Sequence, residues 1–182
     1  MPRGLHVCSF ARTFREQFAI AVPFLRAGLE ARRRCLFVTD DNTPDVVRAE
    51  LLAFGLDPRM VSVVSSAETP LRAEALQPEK LHAAWRRATE QALADGYQGL
   101  SVVVEMTWAL SVRADALAAY EREAGPLFED LPLHALCQYN RIRFPVETLR
   151  GAGLEGHRHV LTERGFLDAT LADEDLASDP LA

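Results

Sequence analysis

One lysine, Lys80, stands among 182 residues, and that scarcity limits what the chain can hold. A nucleotide triphosphatase loop needs a glycine-rich turn whose N–H groups approach the phosphates, followed by a lysine. The segment after the first apolar run reads "SFARTFREQ", with neither glycine nor lysine, which argues against ATP hydrolysis. Basic excess is missing as well. With 20 Lys+Arg against 26 Asp+Glu, a net charge of -6 and a pI near 5.4, the chain lacks the basic face that direct nucleic-acid binding requires. No apolar run approaches the ~18 residues of a membrane span, and the start lacks the residue order of a signal peptide. The expectation is a cytoplasmic protein with no membrane partner. Cysteines are few: Cys8, Cys35 and Cys137 are odd in number, far apart, and set in strand-like runs without a C-x-x-C pair. They are expected to be buried thiols, neither a disulfide framework nor a closed zinc site. G-x-S-x-G and H-E-x-x-H are absent, so neither an enzyme nor a cofactor is expected.

What is present is alternation. Apolar runs at 5–10, 35–39, 61–66, 100–104, 133–139 and 157–161 are separated by segments with helical spacing, of which "REQFAIAVPFLRAGLEARR" is the clearest. Thr43 followed by Pro44 reads as a helix cap and first helical position, and Gly55 as the stop. Strands alternating with helices predict an α/β fold, a mostly parallel sheet covered on both faces. The parsing gives one domain over 1–168 and an acidic tail over 169–182, expected to be frayed because it is acidic and poor in aromatics. Residues 67–79 read as a surface connection.

In such a sheet, ligands bind beyond the carboxyl ends of the strands. That rule collects Ser9, Arg12, Thr13, Asp40, Glu105, Thr107, Trp108, Gln138, Tyr139 and Arg143 as candidate ligand-binding residues, with no catalytic residue and no metal ligand. Glu105 ends the β-branched run of "GLSVVVEMTWAL" where the apolar pattern should simply stop. Two readings compete: a carboxylate paired with Arg141 or Arg143, or one that holds a ligand in a cleft walled by Trp108 and Tyr139. Asp40 and Asp41 read as a turn, since two adjacent acids do not make a coordination shell. His6 is expected to be a satisfied imidazole sharing a strand face with Cys8. His157 and His159 are expected on one face of a last strand, as surface residues lacking a third ligand.

"LHVCSF", "FLRAGLEARRRCLFVTDDNTP", "ADGYQGLSVVVEMTWAL" and "LHALCQYNRIRFP" together resemble the MEDS family of prokaryotic sensory domains over roughly residues 5 to 162. The resemblance implies a small-molecule sensor in signal transduction. More distantly, the same spans look like RecA-like ATPases of the circadian-clock type with a degenerate P-loop. That likeness implies a three-layer RecA-like sheet in the order 3-2-4-5-1-6, with Cys8 and Cys137 on neighbouring strands. Many family members join the sensor to a DNA-binding or kinase domain in transcription regulation, and this chain has room for neither. The expectation is therefore a stand-alone regulatory module that binds a small organic ligand and contacts a regulatory protein partner, with a homo-oligomer as a further expected association. The alternatives are a divergent ATPase using Glu105 with Asp40 and Asp41 around magnesium, and a scaffold with no ligand.

Overall fold

The alternation becomes, in the computed structural model, a seven-stranded sheet over the described residues 3–72 and 76–177. In chain order the elements are β1 (Leu5–Ala11), α1 (Phe14–Glu30), β2 (Arg34–Thr39), α2 (Pro44–Ala53), β3 (Val61–Ser65), α3 (Pro78–Ala94), β4 (Leu100–Glu105), α4 (Ala114–Glu123), α5 (Gly125–Asp130), β5 (Leu133–Asn140), α6 (Val146–Thr148), β6 (His159–Thr162), β7 (Gly165–Leu167) and α7 (Ala169–Ala177). The spatial order is β3-β2-β4-β5-β1-β6-β7, the expected 3-2-4-5-1-6 with one strand added at the edge. All pairings are parallel except β6 with β7. β7 escaped the sequence reading because three residues carry too little periodicity.

β4 lies between β2 and β5 and is buried along its whole length, as a parallel strand covered on both faces must be. Its side chains alternate between two cores. Val103 joins Phe18, Leu25, Phe37 and Leu136 under α1 and α2. Val102 and Val104 join Trp108, Leu117, Phe128 and Tyr139 on the opposite face. Thr43 caps α2 through a 3.4 Å bond from Val46 N, with Pro44 first in the helix, and Gly55 follows at φ 75°. The connection after β3 forms two 3₁₀ turns, Ser66–Glu68 and Pro70–Arg72, while residues 73–75 of the expected surface segment lie outside the described residues.

Two expectations are corrected. The stretch from 169 is not frayed where it is described: α7 buries Ala172 and Leu176, and Arg141 and Arg150 pair with its Asp175 and Asp173 at 2.6 and 2.5 Å. Average composition hid an i, i+4 apolar pair and two acids matched to arginines; residues 178–182 lie outside the described residues. His157 and His159 do not share a face. His157 precedes β6 and is buried, whereas His159 is exposed and lies against Phe166.

Cys8 and Cys137 are direct partners in the β1–β5 register, and both are buried free thiols. Burial, reinforced by the Glu121 carboxylate nearby, pushes both thiols far up from their ordinary range. A bulky maleimide is therefore expected to leave Cys8 and Cys137 unlabelled in the native protein and to label them in urea. Rapid native labelling of either, read by intact mass, would contradict the packing. No described helix is long and apolar enough to cross a membrane.

Candidate functional site

Side chains alternate along a strand, so Glu105 follows Val103 onto the α1 face, one layer beyond the last apolar residue. It is 3% exposed. Its Oε1 accepts from Gln17 Nε2 at 2.7 Å and Asn42 Nδ2 at 2.8 Å. Its Oε2 accepts from the backbone N–H groups of Asp40 at 2.6 Å and Asp41 at 3.0 Å. Thr39 Oγ1 lies 2.8 Å from that oxygen and 2.7 Å from Asn42 O, its single proton serving either acceptor. Successive N–H groups in a turn form a concavity that takes an anion. Here the anion belongs to the protein: Glu105 occupies the concavity of the β2–α2 turn and ties it to α1.

The same device closes the β1–α1 turn. Thr13 Oγ1 accepts from Glu16 N at 3.2 Å, and Glu16 Oε2 accepts from Arg12 N at 2.8 Å and Thr13 N at 3.4 Å, a reciprocal capping box. The N–H groups that a phosphate would need at this helix start already face a carboxylate of the chain.

Above Glu105 lies a cavity of about 210 Å³, bordered by Ala11, Thr13, Phe14, Gln17, Asp41, Asn42, Glu105, Thr107, Gln138, Tyr139 and Asn140. Two buried polar atoms on its wall have no hydrogen-bond partner among the described residues: Thr107 Oγ1 and Gln138 Oε1. Gln138 Nε2 donates to Gln17 O at 3.0 Å and lies 3.5 Å from Ser9 Oγ. Because a carbonyl only accepts, the amide nitrogen must lie on that side, and Oε1 is the atom left over.

Of the residues expected at the site, Thr13, Glu105, Thr107, Gln138 and Tyr139 border this one cavity. Ser9, Arg12, Asp40, Trp108 and Arg143 do not. Ser9 is buried beneath it, Arg12 contributes a backbone N–H to the cap, and Asp40 turns its side chain to Ser66. Trp108 is corrected outright: the chain bends into a 3₁₀ segment, Met106–Ser111, straight after Glu105, and carries the indole into the opposite core beside Trp85 and Tyr120. Tyr139 borders the cavity but directs its hydroxyl away from it, donating to Glu121 Oε1 at 2.9 Å, so the expected pair of Trp108 and Tyr139 does not wall the cleft. Neither arginine pairs with Glu105. Arg143 pairs with Asp41 and Arg141 with Asp175. The reason is Asn140, whose Oδ1 accepts from Ile142 N and Arg143 N at 3.0 and 3.2 Å and turns the chain out of β5.

Gln17, Asn42, Phe14 and Asn140 were missed. Gln17 left one signal: it is a polar residue within the apolar stripe Phe14, Phe18, Ala21, Leu25 of α1. Asn42 left none, since its role depends on where β4 ends relative to β2.

A family model described as "MEDS: MEthanogen/methylotroph, DcmR Sensory domain" matches residues 5–153. No curated protein matches the chain. Among solved structures, the chain is similar to one titled "Crystal structure of mouse CSAD in apo form", at 17% identity and a TM-score of 0.39. That match covers 80% of this chain and 30% of the other.

Proposed function

The chain belongs to the MEDS family of sensory domains, and from that premise we propose that it is a sensory module that binds a small organic molecule in the cavity above Glu105. One observation carries this reading: Thr107 and Gln138, which border a cavity at the carboxyl edge of a parallel sheet, each hold a buried polar atom, Oγ1 and Oε1, with no hydrogen-bond partner among the described residues. An unpaired buried acceptor costs about 1–3 kcal/mol, which a ligand bearing a hydroxyl, amine or amide offsets by donating to Gln138 and bonding Thr107. About 210 Å³ is small for a binding cavity, and Ala11 and Phe14 give the ligand apolar contact.

The divergent-ATPase reading fares worse, because Glu16 and Glu105 occupy the N–H groups that would cradle phosphates, and Asp41 is engaged by Arg143. We read the sheet order as a RecA-like core whose nucleotide-binding turns have been closed by the chain's own carboxylates. The output is contact with a regulatory protein in the cytoplasm of a prokaryote, through α4–α5 or the acidic C-terminal segment.

Thermal unfolding of the chain against small alcohols, amines and amides, with magnesium-ATP as a separate arm, tests the proposal. A ligand at a hundredfold its Kd stabilises the folded state by about 2.7 kcal/mol, or roughly 5–11 °C for a domain of this size. At least one small compound should raise Tm in this way, lose the effect in Gln138→Leu, and leave magnesium-ATP without effect. Stabilisation by magnesium-ATP alone overturns the reading.

A further inference from the structure

On the sheet face opposite the Glu105 cavity, four side chains from four separate elements converge. His6 comes from β1, Cys137 from β5, Glu121 from α4 and His157 from the segment before β6. Their donor atoms all lie within 4.8 Å of one another. His6 Nε2 is 3.3 Å from Glu121 Oε2 and 3.7 Å from Cys137 Sγ, and His157 Nε2 is 3.7 Å from the same Glu121 oxygen. We propose that this tetrad is a closed, four-coordinate site for a divalent transition-metal ion of the zinc type, clamping α4 and the His157 segment to the sheet.

Bond lengths decide the fit. Tetrahedral zinc with bonds of about 2.0–2.3 Å to nitrogen, oxygen and sulfur holds its ligand atoms about 3.3–3.8 Å apart; three of the six contacts fall in that range and the other three lie within 4.8 Å, so the ion would draw the set slightly together. Lone pairs agree. His157 Nδ1 lies 2.8 Å from Gly153 O and 3.1 Å from Ala152 O; two carbonyl acceptors place the proton on Nδ1 and leave Nε2 as a bare lone pair. That atom is buried and has no hydrogen-bond partner among the described residues. It faces a carboxylate oxygen, so two acceptors oppose each other across a gap that a cation would fill. Tyr139 donates to Oε1 of Glu121 and leaves Oε2 toward the tetrad, as outer partners of metal ligands commonly do.

Charge also closes. One thiolate and one carboxylate cancel a dication, so the loaded site is neutral in an apolar surround. A cavity of about 30 Å³ touches His6, Glu121 and Cys137, and a second of about 320 Å³ touches His6 and His157 beside Glu129 and Glu155. The first has room for one small ion, and the second gives access past acidic side chains. The sequence hid all this because the four ligands are spread from residue 6 to residue 157 without a spacing motif. The site is independent of the small-molecule cavity, and either can fail alone.

The chelator-treated 182-residue chain is titrated with cobalt(II) chloride and followed by absorption. One equivalent should produce the visible bands of four-coordinate cobalt and a near-ultraviolet thiolate charge-transfer band, both bleached by zinc. Cys137→Ser should remove the charge-transfer band and weaken binding by roughly tenfold or more, while Cys8→Ser keeps both. Should Cys137→Ser fail to fold by circular dichroism, His157→Gln is read instead and should lose the four-coordinate bands. Weak octahedral bands alone in the wild type, or a charge-transfer band that survives Cys137→Ser, overturn the proposal.

Discussion

Glutamine in place of Glu105 should lower the unfolding free energy by about 3 kcal/mol, because a buried acceptor with several donors becomes an NH₂ group pointed at N–H groups. For a chain of this size the loss amounts to a fall in Tm of roughly 6–12 °C. Whichever oxygen is replaced, the new nitrogen meets donors. On the Oε2 side these are the Asp40 and Asp41 amides, and on the Oε1 side the Gln17 and Asn42 side chains. Arg143→Ala supplies the contrast. Its pair with Asp41 is half-exposed, and such pairs contribute about 0–1 kcal/mol. Urea unfolding of both variants separates two accounts: a large loss for Glu105→Gln with a small one for Arg143→Ala supports the internal anchor. The reverse order would restore the reading of Glu105 as a surface charge.

Gly99→Ala should cost at least about 3 kcal/mol, for two reasons that add. At φ 143° Gly99 occupies backbone space that L residues rarely enter, worth roughly 1–3 kcal/mol. A Cβ there would also lie 2.2 Å from the backbone oxygen of Pro132, which cannot give way, because Pro132 O accepts from Leu100 N at 3.0 Å. That bond sets where β4 begins beside β5, and therefore that Glu105 stands opposite Gln138. Gly96→Ala isolates the first cause: φ is 87°, but nothing lies within 4 Å of the added carbon, so the loss should be about 1–2 kcal/mol. Equal losses from the two variants, read by urea unfolding, would mean that the Pro132 contact relaxes at no cost.

How far the sequence carried can be judged residue by residue. The carboxyl edge was legible, because the rule that locates ligands in parallel sheets needs only strand ends, and Thr13, Glu105, Thr107, Gln138 and Tyr139 meet there. The partners of Glu105 were not. Their position just past the fifth strand favoured Arg141 and Arg143, but the Asn140 turn removes both, and the donors come from residues 17 and 39–42. Trp108 failed for a different reason: three residues beyond Glu105, it falls on the Val102 and Val104 side of the sheet and packs in that core. Helix α7 was lost to averaging over composition. His157 was lost because its surroundings are assembled only by the crossing of β1, β5 and α4.

The central claim, a small-molecule site on the carboxyl edge of the sheet, is tested most directly by amide spectra of ¹⁵N-labelled chain titrated with whichever small compound raises Tm. The account predicts saturable shifts concentrated at the backbone amides of Thr107, Gln138 and Asn140 and at the side-chain amide of Gln138. Shifts confined to other surfaces, with these four signals unmoved at saturation, would contradict it.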